Sequence, residues 1–217
     1  MDYDADGVDD VIAGSIYEDI YLFRGLGKGK FAKRKLLRDK NNNPLKGGYC
    51  CTTELLDMDA DGDLDAWLGR HDLADLLMRN DGTGRMTPEE IPESTGESYS
   101  GSFIDIDSDG DLDLFVARYA PGLDLEGVLA GTVMGSGNAI YVNEGGSLVW
   151  LPGALPDEVV DDVTFHGQWI DANEDGHPDL YLASDFGPLL GRNRLLIGDG
   201  SGQFSLADDC NCEFKHW

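Results

Sequence analysis

The chain has 217 residues, 41% of them hydrophobic, enough to bury a core and too many for wholesale disorder. Its 42 Asp and Glu against 16 Lys and Arg give a formal net charge of −26, which disfavours nucleic acid and anionic membrane surfaces as partners. No apolar run approaches the roughly 20 residues that span a bilayer, and the opening "MDYDADG" is not a signal peptide.

The acids are clustered, and the clusters recur along the chain. The first unit, residues 1–48, opens with "DYDADGVDD" from Asp2, continues through the apolar run "VIAGSI" and ends in the alternating segment "YLFRGLGKGKF". The second, 49–96, places "YCCTTELL" before "DMDADGDLD" from Asp57, then "AWLG" and "LLMRNDGTGRM". The third, 97–162, runs "YSGSFI", "DIDSDGDLD" from Asp105, "LFVARY" and "IYVNEGGSLVW". It carries a Gly-rich insertion at 120–139, in which 123–135 is expected to hold one or two helical turns. The fourth, 163–208, repeats the order with "VTFHGQWI", "DANEDGHPD" from Asp171, "LYLAS" and "LLIGDGSGQF". Two dissimilar motifs in the same order four times mark an internal repeat.

Each unit reads as short strands separated by Gly, Asn and Asp turns, with no long helical periodicity. About four strands in roughly 50 residues is the size of a propeller blade, so the expected fold class is an all-β propeller built from four-stranded blades. Residues 38–48 and 86–98 read as polar surface loops between blades, and 209–217 as the first strand of a next blade or a closing strand.

The acidic loops have the donor pattern of a hard cation. Oxygens at loop positions 1, 3, 5 and 9, a backbone carbonyl at 7 and Gly at 6 approach the six to eight oxygens that Ca²⁺ takes at about 2.3–2.6 Å. Zinc and iron prefer nitrogen or sulfur ligands, which these loops lack. The expected ligands are Asp2, Asp4, Asp6 and Asp10, with the Val8 carbonyl; Asp57, Asp59, Asp61 and Asp65, with the Asp63 carbonyl, its carboxylate left in solvent; Asp105, Asp107, Asp109 and Asp113, with the Asp111 carbonyl; and Asp171, Asn173, Asp175 and Asp179, with the His177 carbonyl. Up to four Ca²⁺ would bring the net charge from −26 to −18. Asn173 leaves the fourth loop one carboxylate short, so it is expected to bind more weakly, and Asp2, beside the first residue, leaves the first loop prone to fray. The alternative is a set of acidic hairpin turns that hold no ion. An EF-hand needs Glu at position 12, where this chain has Ala13, Leu68, Val116 and Leu182.

These loops, with the "NDGTGRM" and "GDGSGQF" hairpins, resemble FG-GAP/VCBS repeats, and "DLYLASDFGPLLGRNRLLIGDGSGQF" is similar to the ASPIC/UnbV and cartilage-acidic-protein-like branch. The resemblance implies the β-propeller of integrin α-subunit heads, usually of seven blades. It places calcium in the hairpin between the first two strands of a blade. It also implies an extracellular setting and a non-catalytic adhesion, ligand-binding or scaffolding role, with a protein or glycan ligand. Four repeats are fewer than seven, so the chain is either a segment of a larger propeller or a small ring closed by its last strand. In the closed ring, Cys50–Cys212 or Cys51–Cys210 would form a latch; four free thiols are the alternative.

Signals of catalysis are weak. "MGSGN" is not the nucleophile elbow G-x-S-x-G, and the Gly-rich stretch lacks the Lys of a phosphate loop. Of the four histidines, His71, His166, His177 and His216, His166 reads as a structural residue on an inner strand and His177 as a loop residue, and Trp67, Trp150, Trp169 and Trp217 read as blade packing. A lectin-like propeller is the alternative function, and a polysaccharide lyase or hydrolase fragment a more remote one.

Overall fold

Short β-branched and aromatic runs between turn-forming residues leave the chain little choice but strands joined by tight connections. The computed structural model describes residues 2, 4, 6–14, 19–38, 42–45, 52–82, 85–122, 125–185 and 192–207. The four cysteines, His216 and Trp217 lie outside them, and so does the proposed latch. Two compact units divide the chain, Met1–Thr95 and Gly96–Trp217.

In the first unit, β1 (Val11–Ala13), β2 (Tyr21–Phe23) and β3 (Lys35–Leu36) form an antiparallel meander. A second meander joins β4 (Thr52–Leu56), β5 (Asp65–Gly69), β7 (Leu76–Asn80) and β8 (Met86–Glu90) in that order, and the short β6 (His71–Leu73), outside this sheet, lies in the connection from β5 to β7. All five residues of β5 are buried, as expected for a central strand covered on both faces. Ile20, Leu22, Leu68, Leu76 and Met78 form one core, which joins the two meanders.

In the second unit, β9 (Gly96–Ile104), β10 (Asp113–Arg118), β11 (Ala139–Glu144) and β12 (Ser147–Trp150) follow one another as antiparallel neighbours. So do β13 (Thr164–Ile170), β14 (Asp179–Ser184), β15 (Arg194–Gly198) and β16 (Phe204–Leu206). Their core includes Ile106, Phe115, Ile140, Leu180, Leu182 and Leu196, with Trp169 packed on it. A Cβ added at Gly167 of β13 would lie 2.3 Å from the Phe115 ring, so glycine is what lets β10 and β13 approach.

Residues 86–98 are not the continuous loop expected. Met86 buries its side chain and pairs with Asn80, and the pairing runs on to Leu76 opposite Glu90. Pro88 is tolerated because β8 is an edge strand, where a missing N–H leaves no ladder bond unmade. The insertion holds α1 (Leu125–Ala130), within the stretch expected to be helical. The single turn α2 (Asp157–Val160), which the apolar pattern does not announce, buries Val159 in the second core.

Candidate metal centre

Each acidic cluster immediately precedes a strand: the first leads into β1, and the other three cap the hairpins β4–β5, β9–β10 and β13–β14. One hydrogen-bond scheme shapes all four. The position-1 carboxylate accepts the N–H groups of positions 5 and 6: Asp2 from Asp6 and Gly7, Asp57 from Asp61 and Gly62, Asp105 from Asp109 and Gly110, Asp171 from Asp175 and Gly176. The position-5 carboxylate then accepts the N–H of position 7, at 2.8–2.9 Å in every loop. Position 6 sits at φ between 84° and 98°, the left-handed region that glycine enters without a Cβ penalty.

The backbone is also left-handed at position 4, where no glycine stands: φ is 57° at Ala60, 65° at Ser108 and 60° at Glu174. Such residues cost about 1–2 kcal/mol and persist where the surroundings hold them. The sequence gives no sign of this, because Ala, Ser and Glu share no turn preference.

Asp10, Asp65, Asp113 and Asp179 at position 9 are buried. Each accepts a backbone N–H from the next strand connection, from Gly25, Asn80, Asn143 and Gly198 respectively, at 2.6–2.9 Å. In the last three loops the second oxygen accepts the N–H of position 2, from Met58, Ile106 and Ala172. The acidic motif points to a ligand at this position and carries no sign of the hairpin clamp. The two roles are compatible, since a carboxylate offers about four lone-pair directions.

The fit to a cation rests on where these bonds leave the other oxygens. Single oxygens of Asp2, Asp4 and Asp6 lie within 4.8 Å of one another, and the same holds for Asp57, Asp59 and Asp61 and for Asp105, Asp107 and Asp113. Asp109 and the fourth loop fall outside these groupings. There the Asn173 amide donates to Asp175 Oδ2 at 2.8 Å, turning an N–H inward where the other loops have a carboxylate oxygen. Asp4 Oδ1 is buried without a hydrogen-bond partner, as an oxygen awaiting a cation would be. All of these donors are oxygens, the class that hard cations take.

The electrostatics separate the loops. Burial pushes the Asp113 carboxyl up to about 6 against the opposing pull of its two N–H donors. Burial and then Asp109 raise Asp107. In the second loop burial raises Asp65, while the N–H groups of Asn80 and Met58, and then Arg79, pull it down. Desolvation followed by the charges of Asp61 and Asp57 raises Asp63. In the fourth loop the His177 N–H and the Asn173 amide hold Asp175 below its usual value. Loops two and three therefore hold repelling carboxylates that a cation would relieve.

Position 7 corrects one expectation. The Asp63 side chain is not left in open solvent: its Oδ2 lies 2.3 Å from where a Gly82 Cβ would be. The His177 ring occupies the same place against Gly200, with Nδ1 buried and unpartnered. In these two repeats the position-7 side chain rests on the turn of the following hairpin, which requires glycine there. His166 is exposed and bonds Ser100 through Nδ1 at 3.2 Å, while Trp67 is fully buried. Trp150, by contrast, is 43% exposed.

The FG-GAP-like repeat family matches residues 2–67 and 57–116, and the chain belongs to that family. No curated protein matches the sequence. Among solved structures, an Agrocybe aegerita lectin described as recognising non-reducing terminal N-acetylglucosamine is similar, with 14% identity and a TM-score of 0.53. The match covers 94% of this chain and 63% of the lectin, so the chain spans less than two thirds of that structure. The V. cholerae biofilm matrix protein Bap1 matches with 16% identity and a TM-score of 0.44, over 94% of this chain and 37% of that one.

Proposed function

We propose that the chain is a calcium-dependent, non-catalytic binding module of β-propeller type, working outside the cell, in which Ca²⁺ clips the hairpin tips. One observation carries this reading: a single hydrogen-bond scheme, repeated four times, turns three sets of carboxylate oxygens to within 4.8 Å of one another. When bound, the ion would neutralise the repulsion among these oxygens. The chain's own residues supply the rest. Position 1 folds the loop, position 5 fixes position 7, and position 9 ties the loop to the next hairpin. Asp2, Asp4 and Asp6, Asp57, Asp59 and Asp61, and Asp105, Asp107 and Asp113 would hold the ion, with Asp10, Asp65, Asp109 and the position-7 carbonyls of Val8, Asp63 and Asp111 as further donors. Asp171, Asn173, Asp175 and Asp179, with the His177 carbonyl, form the fourth and weaker set. An extracellular setting suits loops of this kind, whose affinities lie at about 10⁻⁴–10⁻³ M in extracellular modules. Calorimetric titration of CaCl₂ into EDTA-treated, dialysed protein tests the reading. Saturable binding in that range supports it, and no binding up to about 10 mM contradicts it.

A second reading, a neutral glycan as ligand, draws on the similarity to the lectin's fold and on exposed aromatic rings in the second unit. Tyr99 and Phe165 are each 37% exposed and meet edge to face at 5.2 Å. Among the described residues no helix is long and apolar enough to cross a membrane. A glycan array probed in calcium, blank across all neutral terminal sugars, would dispose of this second reading and leave a protein ligand.

A further inference from the structure

The four loops differ in one residue that the acidic motif does not contain. It is the residue just before the N–H that clamps position 9: Arg24, Arg79, Val142 and Ile197. Arg24 donates from Nε to Asp4 Oδ2 at 2.6 Å and from Nη2 to Asp6 Oδ2 at 2.5 Å, spanning positions 3 and 5 of the first loop. Arg79 holds the same place more loosely, with Nη1 3.6 Å from Asp59 Oδ2 and 3.4 Å from Asp65 Oδ2, and Nε 3.6 Å from Glu89. Val142 packs on the core of the second unit and brings no charge to its loop.

We infer that Arg24 and Arg79 are built-in counter-cations that grade the loops, so that loop three takes calcium first, loop two at higher concentration and loop one at the highest. The inference rests on the calcium reading above. A guanidinium and a divalent ion compete for the same carboxylate oxygens, and a positive charge a few ångströms from the ion repels it. The arginines also give loops one and two a partner charge when no calcium is bound, at a place where loops three and four have Val142 and Ile197. Arg24, hydrogen-bonded to two ligand carboxylates, opposes the ion more strongly than Arg79, which stands beyond hydrogen-bond distance of Asp59. Loop four has no arginine at this place; its weakness comes from Asn173.

Each loop carries its own reporter, because the position-6 glycine donates its N–H to the position-1 aspartate. A ¹⁵N–¹H correlation spectrum of the full chain, freed of metal with EDTA and titrated with CaCl₂ to about 10 mM, follows Gly7, Gly62, Gly110 and Gly176 separately. The expected midpoints rise from Gly110 to Gly62 to Gly7. Arg79→Val lowers the Gly62 midpoint roughly tenfold, the order expected for removing one nearby unit charge, and leaves Gly110 unchanged. Arg79→Lys, which keeps the charge, stays near the original midpoint. If Arg79→Val does not fold, Arg24→Val read at Gly7 is the same test. Midpoints of Gly62 or Gly7 that ignore loss of the arginine overturn the inference while leaving calcium binding intact. Glycine signals that ignore calcium in every variant overturn the calcium reading itself, and the inference with it.

Discussion

Asp113 accepts the N–H of Asn143, 30 residues further along the chain, at 2.7 Å, while its other oxygen accepts the N–H of Ile106 at 2.9 Å. One buried carboxylate thus closes the acidic loop and fastens it to the start of the next hairpin. Asp65, with Asn80 and Met58, and Asp179, with Gly198 and Ala172, do the same in their repeats.

Removing that clamp leaves two backbone N–H groups unpaired in a buried place. Asp113→Ala is expected to lower unfolding free energy by roughly 2–4 kcal/mol in urea titrations, taking about 1–3 kcal/mol per orphaned group less the carboxylate's own desolvation. Asp111→Ala, which removes no such clamp, is expected to change it by less than about 0.5 kcal/mol. Equal effects of the two substitutions would contradict the assigned role.

The left-handed backbone at position 4 makes an opposite prediction. Ala60→Gly and Ser108→Gly should each raise stability by up to about 1 kcal/mol, because relief of the left-handed strain exceeds the added chain entropy of glycine. Ordinary Ala→Gly changes destabilise, so a gain in melting temperature is diagnostic and a loss would show that the loop backbone is not strained there.

How far the sequence spoke depends on what kind of information each feature carries. Repeat order and apolar runs place central strands such as β5, β10 and β14 to within a few residues, because strands buried on both faces read as largely apolar runs. Carboxylate spacing marks all four loops as one motif, and the same hydrogen-bond scheme recurs in each of them. Edge strand β8 looks like a loop in the sequence because its Pro and Glu residues are what an edge tolerates. Helix α2 is a single turn, too short for periodicity. The clamp at position 9 depends on Asn143 and Asn80, 30 and 15 residues away, and no local pattern predicts that meeting. Arg24 and Arg79 were legible in "LFRG" and "LMRN" once the repeats were aligned on the second hairpin, a comparison centred on the acids passes over them.

The Tyr119 hydroxyl donates to Asp185 Oδ2 at 2.5 Å, and burial, then this carboxylate, holds the phenol above its ordinary range. A value raised on folding means that the contribution to stability is complete below the unfolded phenol's pKa of about 10 and is lost as pH rises beyond it. Tyr119→Phe is therefore expected to cost stability at pH 8 and to flatten the decline above pH 10. Melts of both proteins from pH 8 to 11 check this, and parallel alkaline limbs would refute it.

The central proposal is that calcium is part of the folded structure, because the acidic loops gather carboxylates whose charge the ion would neutralise. Thermal unfolding of the full chain in EDTA and then in a few millimolar excess calcium tests it most directly. The account predicts a markedly lower melting temperature in EDTA, fully restored by calcium and only weakly by magnesium, whose strict octahedron suits these loops less well. A melting temperature indifferent to EDTA and calcium would contradict it.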